Sequence, residues 1–167
     1  MMRTFTKTHK EYIEKLMERI KEYYGNNLVS IVIFGSYARG QNKTNSDLDI
    51  LIVLERCEKS KQKRLQEFVE KIEMPLEPLA TKLLDEGIYM DITPIILSKD
   101  EARYFNPLYL DMMEHKIIIF DKDNFIQSIL EKVKELMKSW GSYKEYVNGH
   151  EVWVIRKGKP IGVVKLG

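Results

Sequence analysis

Gly35-Ser36-Tyr37-Ala38-Arg39-Gly40-Gln41-Asn42-Lys43-Thr44-Asn45-Ser46-Asp47-Leu48-Asp49-Ile50 joins two short apolar runs, and how it is read decides the fold. Leu28–Phe34, just before it, is apolar and rich in β-branched residues, the pattern of a buried strand. Leu48–Leu54 is a second run of the same kind. A Gly-Ser pair closes the first strand, and two aspartates at i, i+2 open the second. Residues 36–47 have room for one short helix and a polar loop.

The chemistry of the stretch follows from these residue types. Residues i and i+2 of a strand share a face, so Asp47 and Asp49 would stand side by side. Two carboxylates that close repel, and one takes up a proton unless a cation neutralises them. Mg²⁺ prefers oxygen ligands and is held by one or two carboxylates plus substrate phosphates. Gly35 permits unusual dihedrals and the close approach of another group. Ser36 and the amides after it would open a short helix, whose first turn attracts anions. The Ser36 hydroxyl could donate to a phosphate oxygen, and Gly40 would end the helix. Arg39 has two readings, as a phosphate ligand or as a brace against a carboxylate. Taken singly, Gly-Ser is a common capped turn and Asp-x-Asp a common solvated strand start. Taken together they point to a phosphate cradle beside a divalent-metal site.

Working outward, residues 5–24 carry apolar side chains at helical spacing (Tyr12, Ile13, Leu16, Met17, Ile20, Tyr23), stopped by Gly25-Asn26. Helical spacing returns over 58–73, is broken by Pro75 and Pro78, and resumes through Leu79, Leu83 and Leu84. Residues 88–97 read as a third strand with Asp91 embedded in it. A lone carboxylate there is costly unless paired or metal-bound, so Asp91 is a third candidate ligand. Ser98 with Glu101 three residues on predicts a helix-capping box. A helical stretch interrupted near Pro107 leads to a short apolar run over 117–120, and 121–140 reads as a strong amphipathic helix. In the tail, 152–155 and 161–164 flank a basic tip at 156–160 and read as a β-hairpin. The expected fold is α+β: a mixed sheet flanked by helices, with a nucleotide-handling domain at 1–120 and an appendage of helix plus hairpin at 121–167.

Composition narrows the class. With 167 residues and 44% apolar content, the chain suits one domain with a modest appendage. Its net charge of +2 argues against a strongly nucleic-acid-binding or acidic-tail protein. The single cysteine, Cys57, excludes an internal disulfide and a cysteine metal cage. No apolar run is long enough to cross a bilayer and the first residues lack a signal-peptide pattern, so a cytoplasmic protein is expected. His9, His115 and His150 are scattered without ligand spacing. Walker and dinucleotide-binding glycine motifs are absent, and Ser36 lies outside any G-x-S-x-G elbow.

Gly-Ser, ten residues, Asp-x-Asp and a later strand aspartate resemble the nucleotidyltransferases of the DNA polymerase β superfamily, in particular the small stand-alone minimal nucleotidyltransferases. The resemblance spans residues 28–120. It implies that Gly35 and Ser36 bind a nucleoside triphosphate such as ATP, and that Asp47 and Asp49 bind two Mg²⁺ ions. It also implies that Asp91 completes the triad and helps activate an acceptor hydroxyl. The implied reaction is transfer of a nucleoside monophosphate to that hydroxyl. Small relatives are paired with a helical HEPN toxin, which they neutralise by adding AMP to a tyrosine, so a HEPN-type partner is implied. Two other readings compete: a non-catalytic nucleotide-binding antitoxin or scaffold, and a nucleic-acid binder using Arg156, Lys157, Lys159 and Lys165 with Trp153. The oligomeric state is left open.

Overall fold

The computed structural model describes residues 2–156 and 162–166. Its centre is a four-stranded mixed sheet in the order β3-β2-β1-β4. The strands are β1 (Leu28–Phe34), β2 (Leu48–Leu54), β3 (Ile92–Ser98) and β4 (Ile117–Asp121). β1 runs antiparallel to β2 and to β4, and β2 runs parallel to β3. Both central strands are almost wholly buried, which explains why they read as continuous apolar runs rather than alternating ones.

Each face of the sheet carries its own helical layer. Leu48, Ile50, Ile52 and Leu54 point into a core shared with Leu16 and Ile20 of helix α1 (Lys7–Tyr24), Phe68 of α3 (Lys61–Phe68) and Leu83 of α4 (Glu77–Asp85). Leu51 and Val53 point the other way. They meet Tyr109 and Met112 of α6 (Leu108–Glu114) and Ile126, Ile129 and Val133 of α7 (Phe125–Ser139). By the same alternation, Asp49 belongs to the α6 and α7 face. That placement decides what surrounds it.

Local signals account for the element boundaries. The Thr6 side chain caps α1 by accepting from the His9 N–H. Between α3 and α4 the chain keeps turning, through a π turn at Val69–Glu73 and a 3₁₀ turn at Met74–Leu76 that absorbs Pro75. The capping box of Ser98 and Glu101 opens α5 (Lys99–Ala102) with both reciprocal bonds. Glu101 also accepts from the buried Arg64 at 2.7 Å. No helix among the described residues is long and apolar enough to cross a membrane.

Two expectations need correction. The third strand starts at Ile92, four residues later than its apolar pattern suggests. Gly87, at φ +78, turns the chain out of α4. The Ile88 N–H then donates to Leu83 O and the Tyr89 N–H to Thr44 O, so those backbone groups serve the loop rather than a ladder. Asp91 therefore stands just before the strand, exposed, and only its carbonyl joins the sheet edge, accepting from the Leu48 N–H at 2.8 Å.

The hairpin also differs from the expected one. β5 (Tyr143–Val147) pairs with β6 (His150–Val154), not 152–155 with 161–164. Asn148 and Gly149 both have positive φ, 52° and 77°. Positive φ at both central residues is the requirement of a type I′ turn, the tightest link whose twist matches two antiparallel strands. The basic tip at 157–160 and the start of the second expected arm lie outside the described residues. Beyond them the tail docks on the body, with Phe105 N–H donating to Val164 O and Tyr104 bridging Lys165.

Candidate active site

β1 delivers the chain into helix α2 (Gly35–Arg39), which is capped by Gly40 in the left-handed conformation. Gly35 has φ +68, and a Cβ there would stand 2.1 Å from Asp49 Oδ2. Both the dihedral and the space demand glycine. Phe34 pairs with Asp49 across the β1–β2 ladder, so the carboxylate lies directly over the turn. Tyr37, in the same helix, is fully buried and locks the turn from beneath. Its hydroxyl lies 3.0 Å from His9 Nε2, while His9 Nδ1 accepts from the Phe5 N–H. The neutral ring therefore carries its proton on Nε2 and donates to Tyr37. Burial lowers the His9 pKa and pushes that of Tyr37 up to about 12. His9 is thus a packing residue that anchors the motif helix to α1.

Electrostatic strain gathers at Asp49. Burial, then Asp47 beside it, raise its carboxyl pKa; Arg39 opposes the rise and Asp111 adds to it. Carboxylates crowded this way suit a hard divalent cation. Asp91 lies in the loop that leads into β3. The parallel register pairs Leu48 with Ile92, so Asp47 and Asp91 each stand one residue before paired strand starts. Asp91 also bears on Glu73, whose pKa is raised by burial and then by that carboxylate. Among the described residues, no three His, Cys, Asp or Glu side chains stand as a preformed metal cage.

Arg39 reaches across the surface to α6. Its Nη1 lies 3.0 Å from both Asp111 oxygens, and Asp111 Oδ2 accepts from the Gly35 N–H at 3.1 Å. Asp111 was not among the residues singled out from sequence. The available signal was a lone carboxylate within the apolar run Leu108-Tyr109-Leu110-Asp111-Met112-Met113, the same argument that marks Asp91. Beyond Asp111 a cavity of about 220 Å³ opens, lined by Arg39, Asp111, Glu114, Lys144, Glu151 and Trp153. Its far wall is the hairpin. Lys144 binds Glu114 and Glu151 there and sits 5.1 Å from the centre of the Trp153 ring.

A turn that places a carboxylate pair against glycine-bordered backbone amides, on a mixed sheet of this order, defines a nucleotide-transfer enzyme class. The chain belongs to the family described as "Nucleotidyltransferase domain", whose model matches residues 13–136, and it is a nucleotidyltransferase. The Methanocaldococcus jannaschii protein called "Putative protein adenylyltransferase MJ1305" is 28% identical over 131 residues, covering 75% of this chain and 81% of that protein. A second protein of the same organism, "Putative protein adenylyltransferase MJ1215", is 49% identical over 43 residues, 26% of this chain and 48% of its own. Among solved structures, spectinomycin adenyltransferase AAD(9) from Enterococcus faecialis, with ATP and spectinomycin, superposes with a TM-score of 0.54 at 18% identity. That match covers 78% of this chain and 68% of the other and supports the shared fold. The family match stops within α7, so the hairpin wall lies outside it.

Proposed function

We propose that the protein is an Mg²⁺-dependent adenylyltransferase that moves AMP from ATP to a hydroxyl group of a partner protein. The carrying observation is the contact between Gly35 and Asp49, which sets a pKa-raised carboxylate directly against the Gly-Ser turn. In this reading Gly35 and Ser36 receive the triphosphate, with Arg39 as a cation for its charge. Asp47 and Asp49, joined by Asp91 from the loop before β3, would hold Mg²⁺, which would supply charge neutralisation at the phosphates and lower the pKa of the attacking hydroxyl.

The acceptor oxygen attacks the α-phosphorus. A new P–O bond forms as the bond to the β-phosphate bridging oxygen breaks, and pyrophosphate leaves. The acceptor's proton passes to Asp91, which is exposed and open to an incoming protein chain. Positioning and electrostatics carry the rest of the catalysis. The name of the Methanocaldococcus relative supports a protein acceptor. The sequence resemblance supports a tyrosine of a helical HEPN partner.

The test is incubation of the protein with α-labelled ATP, Mg²⁺ and the product of the adjacent gene, followed by intact-mass analysis of both chains. Label and an adenylyl mass on the partner, lost in Asp49→Asn, are expected. An unlabelled partner, with no pyrophosphate released by the wild type, would refute the activity.

A further inference from the structure

Two donors that the proposed function assigns to phosphate are already taken by one side chain of the protein itself. The Gly35 N–H donates to Asp111 Oδ2 at 3.1 Å, and Arg39 Nη1 lies 3.0 Å from both oxygens of the same carboxylate. We propose that Asp111 is a built-in anion that takes a phosphate position of the nucleotide site and must be displaced by the nucleotide.

The inference rests on the nucleotide reading given above. It goes further by naming a residue that sets nucleotide affinity, supplied by α6 rather than by the Gly-Ser or Asp-x-Asp elements. Three observations converge on it. A carboxylate presents two oxygens and a negative charge, the same hydrogen-bonding face as a phosphate edge, so the amide and guanidinium are satisfied without a ligand. Gly35 also lies against Asp49, so the carboxylates of Asp49 and Asp111 both flank the turn, and Arg39 is already paired with one of them. A polyphosphate could not join that group without repelling Asp111. Finally, the Asp111 side chain is 35% exposed, so a rotation toward solvent releases Arg39 without unfolding α6.

A site that must first shed an internal competitor binds its ligand more weakly by the fraction of molecules already open. Removing the charge therefore strengthens nucleotide binding. If Asp111 were instead a brace that holds Arg39 in place for phosphate, removing it would weaken binding. The sign separates the two.

The experiment is titration calorimetry of the full chain with Mg²⁺-ATP, with inorganic tripolyphosphate and with adenosine, for the wild type, Asp111→Asn and Asp111→Ser. Both variants should melt like the wild type, since the side chain is partly exposed. Affinity for ATP and for tripolyphosphate should rise about two- to fivefold in each variant, a change of the size expected on removing a partly exposed charged pair. Adenosine binding should be unchanged. The gain should vanish in Arg39→Ala/Asp111→Asn relative to Arg39→Ala. Unchanged or weaker ATP binding in the variants, with ATP still bound by the wild type, overturns this inference and leaves the nucleotide reading standing. No ATP binding by any form overturns both.

Discussion

The two walls of the cleft around Arg39 are built on opposite terms. The wall made by β1, α2 and β2 is fixed from both sides. Tyr37 is buried and bonded to His9, Gly35 leaves no room beside Asp49, and the flanking strands have almost no exposed residue. The wall made by β5 and β6 is mostly exposed and meets the body through polar contacts at Lys144, with Trp153 and Ile155 alone packing on the core. The chemistry of a transfer enzyme depends on positions held to a fraction of an ångström, and the first wall is the one built that way. The contrast also follows the family match, which includes the first wall and excludes the second.

The sharpest way to break this comparison is Gly35→Ala. The new Cβ would fall 2.1 Å from Asp49 Oδ2 in a backbone with φ +68. The dihedral alone costs about 1–2 kcal/mol, and Asp49 must also move. We expect the transfer rate to fall by about 100-fold or more, because an ångström of misplacement has that effect, together with a melting temperature several degrees lower. Steady-state kinetics and a thermal melt check both. Wild-type turnover in Gly35→Ala would mean that the rigid wall is not the catalytic one.

The rigid wall was legible in the sequence because each of its features is local. A β-branched run, a glycine where a strand ends and carboxylates two apart all leave marks within sixteen residues. The capping box at Ser98 was legible for the same reason. Asp91 was misplaced because the apolar pattern of 88–91 does not reveal that Gly87 and Thr44 commit the backbone of Ile88 and Tyr89 to a loop. Asp111 went unseen because its partners lie 72 and 76 residues away, a pairing set by which face of β2 α6 covers. The hairpin was misread for a different reason. Asn148-Gly149 is the strongest two-residue hairpin signal there is, but the flanking strands Tyr143–Val147 and His150–Val154 are charged and weakly alternating. The more apolar arms at 152–155 and 161–164 drew the assignment instead. Turn chemistry outweighed apolar content.

A second, smaller perturbation acts beneath the first wall. Burial depresses the His9 pKa from 6.5, so the unfolded chain binds a proton more readily than the folded one. The stability that depends on neutral His9 is then fully present above about pH 6.5 and is lost as pH falls through the lower folded pKa. His9→Gln should cost about 1–2 kcal/mol at pH 7 through the weakened bonds to Tyr37 and Phe5. It should also flatten the decline of melting temperature as pH falls below 6.5. An equally steep acid decline in the variant would show that other groups set it and that His9 does not hold α2 to α1.

The smallest effect is expected at the other wall, and its smallness is the point. Lys144 joins Glu114 and Glu151 and lies over Trp153, and its pKa is raised, first by the hydrogen bond to Glu114. These groups stand partly in water, where ion pairs contribute about 0.2–1 kcal/mol each and are weakened by salt. Lys144→Gln should therefore leave global unfolding within about 1 kcal/mol of the wild type. It should nonetheless speed amide exchange along β5 and β6, because local opening of a weakly anchored hairpin needs far less free energy than unfolding of the sheet. Hydrogen exchange read by mass spectrometry resolves the two. If β1 and β2 amides lost protection in step with those of β5 and β6, the hairpin would be part of the cooperative core. The cleft would then have one kind of wall rather than two.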